Sequence, residues 1–212
     1  APGSAIRTTV KLPASKSISN RALILNALSY SAYDVENLSD CDDTNLMVKA
    51  LNSNDRDFNV GAAGTTMRFL TAFLSKVVGE WTITGTERMK NRPIKVLVDA
   101  LNALGARIEY MEKEGYPPLR IFGSALQGGE ISLPGNVSSQ YISAILMIAP
   151  LTENGVMLHL EGAIISRPYI HITLQLMEQY GVRASWTENT DQRCFPQEYK
   201  PGFVLPVVIR IG

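Results

Sequence analysis

LPASKSISNRAL, at residues 12–23, holds the pattern from which the rest of the chain is read. Pro13 and a run of small and polar residues lead straight into the apolar stretch 22–28. The stretch reads as a loop carrying Lys16, Ser17, Ser19, Asn20 and Arg21 that opens onto a helix. A helix start leaves several backbone N–H groups unpaired at the positive end of its dipole, a setting that favours a bound anion. Lys16 adds a compact charge, and Arg21 a flat, forked donor that grips phosphate or carboxylate at two points. A plain capped helix with solvated basic residues uses the same residue types, and spacing alone leaves both readings open.

The pattern recurs. Small-residue loops open apolar helices again at residues 61–74, GAAGTTMRFLTAFL, and at residues 135–148, GNVSSQYISAILMI. Amphipathic helices that close at a Gly or polar turn are expected at 44–52, 93–104 and 168–180. Gly105 and Gly181 suit the left-handed position after the last two. Pro93 and Pro168 suit a first helical turn, where the missing N–H costs nothing. Short β-rich runs at 81–84, 107–111, 119–122, 130–133, 156–160 and 182–186 are bounded by Gly, Pro or Asn. Strand, helix, strand, helix and then further strands recur about three times. The order predicts an α+β fold of βαβαββ-type units with pseudo-threefold symmetry, helices covering sheets.

Twenty basic and twenty acidic residues cancel. No global field therefore draws the chain to nucleic acid or to a membrane, and anion affinity must come from local placement of charge. Cys41 and Cys194 are far apart and form no CxxC, which reads as free thiols in a reducing, cytoplasmic setting. The start, APGSAIRTTV, lacks a signal-peptide core. The longest apolar run, 142–149, is stopped by Pro150 and is too short to span a bilayer. His159 and His171 have no metal-ligand spacing, and no GxSxG, Walker loop or strand-borne GxGxxG is present. No metal and no cofactor are expected.

If the units are related by threefold symmetry, three helix N-termini face one region. The first brings Lys16, Ser17 and Arg21. The second brings Gly64, whose missing side chain allows close backbone approach, with Thr65 and Thr66 as donors. The third brings Ser138, Ser139 and Gln140. Singly, each loop reads as ordinary capping; together they point to a polyoxygenated, anionic small molecule. Arg88, Lys90 and Arg92 form a second basic group. Arg92 is the sharper of them because it stands directly before a proline-started helix, and Arg167, followed by Tyr169, matches it in the next repeat. Arg68, inside an apolar helix pattern, reads as a snorkelling or structurally paired residue.

These segments together resemble the 5-enolpyruvylshikimate-3-phosphate synthase family, the glyphosate-inhibited transferases of the shikimate pathway. LPASKSISNRALIL resembles its LPGSKSxSNRALxL signature, and GAAGTTMRFLTA its GNAGTAMRxLxA loop. RMKNRPIKVLVDALNALGARIEY, YPPLR, VSSQYISAILMIAPL and SRPYIHITLQLM follow in the family's order, so the likeness covers about residues 8 to 186. The UDP-N-acetylglucosamine enolpyruvyl transferases share the fold but carry Lys-Asn where this chain has Lys16-Ser17.

The resemblance implies transfer of the enolpyruvyl group of phosphoenolpyruvate to the 5-hydroxyl of shikimate 3-phosphate, with release of phosphate. It implies that Lys16, Ser17, Arg21, Ser138, Ser139, Gln140, Ser166 and Tyr169 bind shikimate 3-phosphate. Lys16, Gly64, Arg92 and Gln140 would bind phosphoenolpyruvate. The family is about twice this length and has two domains, with its acid/base carboxylates in the other half. Residues 1–14 would then belong to that second domain, and residues 15–212 to the shikimate-3-phosphate-binding one. The chain alone would be an inactive monomer whose physical partner is the absent domain. The chain departs from the family pattern at Ala62, where the family carries Asn, and in the tail after Trp186, whose GFVLPVVIRIG reads as an exposed, sticky strand. A non-catalytic anion-binding module and a structural domain of the same fold are the alternative classes.

Overall fold

The computed structural model describes residues 12–182, together with the backbone of residues 184–186 and 191–194. The reading of residues 1–14 therefore falls mostly outside the described residues, as does that of the tail beyond residue 194.

The described residues open with two helices, α1 (Lys16–Leu28) and α2 (Asp42–Leu51). The first complete unit follows: β1 (Asp57–Asn59), α3 (Gly64–Lys76), β2 (Gly79–Thr84), a single turn α4 (Glu87–Lys90), α5 (Lys95–Ala103), β3 (Arg107–Tyr110) and β4 (Leu119–Gly123). The second contains β5 (Gly129–Pro134), α6 (Ser139–Ile148), β6 (Val156–Glu161), α7 (Arg167–Gln179), β7 (Ala184–Trp186) and β8 (Asp191–Cys194). Each unit forms one four-stranded sheet, in the orders β1-β2-β4-β3 and β5-β6-β8-β7. In both, the first pair is parallel across a helical crossover and the other pairs are antiparallel. A parallel pair needs such a crossover, and the crossover places the helix on one face of the sheet. Burial alternates along β5 and β6 accordingly, with Ile131, Leu133, Leu158 and Leu160 turned inward.

The threefold pattern lies in the helices. The first helices of the three pairs, α1, α3 and α6, pack against one another as an inner triangle. Each second helix wedges against one edge of it: α2 against α1 and α3, α5 against α3 and α6, α7 against α6 and α1. Helices enclosed on all sides need apolar residues on all sides. In α6 every residue from 141 to 148 is buried, and α3 is buried from Gly64 to Ala72. Ile145, Phe69 and Leu25, all at 0% exposure, mark the shared core. Truncating Ile145 to Ala would cost about 2–5 kcal/mol by leaving a cavity there.

Several expectations are corrected. Among the described residues, two units are complete and the α1–α2 pair stands without strands of its own, since no hairpin lies between α2 and β1. Residues 16–21 are not loop: α1 begins at Lys16, because Ser15 in extended conformation caps it by accepting from the Ile18 N–H. Residue 42 rather than 44 starts α2, with two aspartates in its first turn. Pro168 lies in the first turn of α7, but Pro93 precedes α5, which begins at Lys95. Gly105 (φ +99°) and Gly181 (φ +82°) hold the left-handed position after α5 and α7 as expected.

Candidate functional site

Side-chain bonds bring the N-terminal ends of the helices to one face. Gln140, in the first turn of α6, donates from Nε2 to Thr65 Oγ1 in the first turn of α3 at 3.0 Å. Asp43, in the first turn of α2, accepts at Oδ1 from the Thr66 backbone N–H at 3.0 Å. Thr66 Oγ1 also lies 2.7 Å from that oxygen. The second carboxylate oxygen of Asp43 lies 3.4 Å from Lys16 Nζ at the start of α1. The start of α5 joins this face through Pro93, whose carbonyl accepts from the Tyr141 hydroxyl at 2.7 Å. Helix dipoles directed at one face give it a positive potential without any net charge on the chain.

Three centres stand on this face. The first surrounds Gly64. A Cβ there would lie 2.6 Å from Arg92 Nη1 and 2.8 Å from Arg68 Nη1, so two guanidinium groups converge on the bare backbone. Arg68 is buried, donates to the Gly64 carbonyl at 2.7 Å, and lies 5.1 Å from the Tyr141 ring centroid. Its Nε is buried without a hydrogen-bond partner among the described residues. Arg68 thus belongs to the site, with exposed Arg92 at its mouth.

The second centre is Arg21, 2% exposed. Nε donates to Thr173 Oγ1 at 2.7 Å, Nη2 to Ser143 Oγ at 2.8 Å and Nη1 to the Ser17 carbonyl at 2.8 Å. No carboxylate among the described residues forms an ion pair with it. Burial pulls its pKa down to about 10, with Tyr169 nearby opposing the shift. Arg21 is therefore charged at neutral pH and has no counter-ion among the described residues, the state an incoming anion relieves. Tyr169, half-exposed, lies near it in the first turn of α7, and Ser166, exposed and left-handed at φ +63°, stands at the N-cap position of that helix.

The third centre is an open cleft of about 720 Å³ lined by Lys16, Cys41, Asp43, Lys49, Ala62 and Ala63. Burial pushes the Cys41 thiol up, but hydrogen bonds with Ser39 and Thr44 and the charge of Lys16 outweigh it and hold the thiol below its ordinary pKa.

Among the expected residues, Lys16, Gly64, Arg92, Gln140 and Arg21 share this face. Ser138 caps α6 by accepting from the Gln140 N–H, and Ser139 is buried in its first turn. Thr65 and Thr66, expected as ligand donors, are instead committed to Gln140 and Asp43. Sequence reasoning missed Asp43, Ser143 and Thr173. The signals were an Asp-Asp pair opening an amphipathic run, a lone Ser inside ISAILMI and a lone Thr on an apolar helix stripe, since a buried polar residue needs a partner. Among the described residues, no group of three or more His, Cys, Asp or Glu could hold a metal ion, and no helix is long and apolar enough to cross a membrane.

Known proteins are similar to this chain in sequence and in fold. A model of the EPSP synthase (3-phosphoshikimate 1-carboxyvinyltransferase) family matches residues 1–55 and 51–208. The chain is 59% identical over 196 residues to the 3-phosphoshikimate 1-carboxyvinyltransferase of Bacteroides fragilis, covering 92% of this chain and 48% of that protein. It is 40% identical over 234 residues to that of Mannheimia haemolytica, covering 97% and 54%. The chain thus spans about half the length of the curated relatives it matches. A solved EPSP synthase from Acinetobacter baumannii superposes with a TM-score of 0.79 at 20% identity, covering 91% of this chain and 48% of that one. The family match divides at residues 51–55, where α2 passes into β1 without a hairpin.

Proposed function

Because the chain belongs to the EPSP synthase family, we propose that it forms one wall of a site that moves the enolpyruvyl group of phosphoenolpyruvate onto the 5-hydroxyl of shikimate 3-phosphate. An ether C–O bond forms as the C–O bond to phosphate breaks. The observation that carries this reading is the convergence of Lys16, Arg21, Gln140 and the Gly64–Arg92 pair on one face of helix N-termini.

Shikimate 3-phosphate lies against Lys16, Ser17, Arg21, Ser138, Ser139, Gln140, Ser166 and Tyr169. Arg21 meets it with a charge already desolvated, so little reorganisation accompanies binding. Phosphoenolpyruvate lies against Gly64, Arg92, Lys16 and Gln140, where the absent Cβ lets the guanidinium reach the backbone. Holding two anions in contact supplies most of what a positioning site can offer. Asp43, the carboxylate paired with Lys16, is occupied by Thr66 and Lys16 and is not placed to shuttle protons. The acid/base groups come from a second domain, the partner of this one, and the pair works as a cytoplasmic monomer. The free thiol of Cys41 suits that compartment.

Calorimetry with shikimate 3-phosphate on the 212-residue chain tests the reading. Weak binding without phosphate release in a coupled assay is expected. No heat at millimolar ligand would make this a structural domain, and steady turnover would place the acid/base groups within this chain.

A further inference from the structure

Helix α3 has no cap of its own. Its N-cap residue, Ala63, carries no side-chain acceptor. The Thr66 N–H, third in the helix, instead meets Asp43 of α2. Asp43 is itself in the first turn of α2, so one carboxylate answers the positive ends of two helices. The same Oδ1 lies 3.5 Å from Asn20 Nδ2, and Asn20, 0% exposed, accepts in turn from Thr44 Oγ1 at 2.7 Å. With α1, α2 and α3 joined at this oxygen, Asp43 Oδ2 points to Lys16 Nζ at 3.4 Å. The ammonium is half-exposed on a four-carbon stem, and its contact with Asp43 is the ion pair that fixes where it stands.

We propose that Asp43 is a positioning residue of the site: through Oδ1 it locks three helix starts together, and through Oδ2 it holds the Lys16 ammonium where the two substrates meet. This rests on the functional reading above for the identity of the ligands, but not for the placement of Lys16. Asp43 meets Lys16 along one edge only, which leaves the remaining N–H bonds of the ammonium for a ligand. The effect is orientation, since a half-exposed ion pair adds little to stability by itself.

Two variants test it on the full chain. Asp43→Asn keeps an oxygen for Thr66 and Asn20 but removes the charge facing Lys16, and Lys16→Gln leaves the α3 cap intact. Brief acetylation with acetic anhydride, read by mass spectrometry, should modify Lys16 in Asp43→Asn roughly two- to fivefold faster than in the unaltered chain, the range of a half-exposed pair. Shikimate 3-phosphate affinity should fall roughly three- to tenfold in either variant, and the double variant should bind no more weakly than the weaker single one, as coupled residues do. Lys16→Gln should melt as the unaltered chain does. Unchanged acetylation, or losses that add in the double variant, would overturn the proposal and leave Asp43 a helix cap only. If the unaltered chain does not bind shikimate 3-phosphate, the functional reading fails, and the acetylation ratio still decides the role of Asp43.

Discussion

Arg92 Nη1 stands where Gly64 lacks a side chain: a Cβ on residue 64 would lie 2.6 Å from it. The two residues come from different turns of the first complete unit, and their contact makes a cationic seat on bare backbone at the start of α3. Arg92 is exposed and can swing away, whereas Arg68, 2.8 Å from the same point, is buried and cannot move cheaply.

Gly64→Ala should therefore cost about 1–3 kcal/mol of stability by overpacking against Arg68. It should weaken phosphoenolpyruvate binding roughly tenfold or more, because displacing Arg92 removes a charge-assisted bond. Urea unfolding and competition calorimetry measure the two separately. Unaltered phosphoenolpyruvate affinity would remove Gly64 and Arg92 from the site.

Arg21→Met should separate structure from function. Replacing a buried charge, here one with no ion pair among the described residues, with an apolar side chain of similar length is often neutral or stabilising. Ser143 and Thr173, whose hydroxyls are bonded to each other at 2.8 Å, keep that bond once the arginine is gone. Melting should stay within about 1 kcal/mol of the unaltered chain, while affinity for shikimate 3-phosphate falls roughly ten- to a hundredfold. A large loss of stability would make Arg21 a strut rather than a ligand.

Ser166 is held at φ +63°, a region that costs a residue with a side chain about 1–3 kcal/mol. Ser166→Gly should recover roughly 0.5–1 kcal/mol of that, a glycine also gaining freedom in the unfolded chain. Shikimate 3-phosphate binding should weaken, since the hydroxyl is lost. Gain of stability with unchanged binding would leave the strain at Ser166 without a function.

Alkaline unfolding should carry the signature of two tyrosines. Burial pushes the Tyr180 hydroxyl up to about 12, and Tyr110, buried first and repelled by Asp99 second, also rises to about 12. Between pH 10 and 12 the unfolded chain ionises these groups and the folded one does not. Their stabilisation is thus complete below pH 10 and lost as pH rises through 12. Arg21, lowered to about 10, acts in the opposite sense, gaining stability as pH rises above about 10. Tyr180→Phe should reduce the fall of unfolding free energy in this window by up to about 1.4 kcal/mol per pH unit, one proton's worth. An unchanged slope would mean that Tyr180 ionises freely in the fold.

Much of the helix scaffold was legible because the small-residue loops before α1, α3 and α6 are local signals, as are Gly105 and Gly181. The strands β3 to β6 lie within a residue of the β-rich runs for the same reason. β1 was missed because Asp57, Phe58 and Asn59 are too short a run to show alternation, and they become a strand only by pairing with β2. The turn α4 was missed because Thr86 capping Met89 stabilises only four residues. The site was legible in its residue types and illegible in its wiring. Nothing local tells that Asp43 caps α3 at the Thr66 N–H or that Arg21 looks inward to Thr173, since both depend on helices that meet only in the folded chain.

Helix α1 packs on α3 and α6 in the inner triangle and on α7 outside it, and Arg21 waits for Thr173, 152 residues later in the chain. On a ribosome adding about 5–20 residues per second, that interval is on the order of ten seconds. Arg21 is thus made early and finds this partner late, and until then its charge must stay in water.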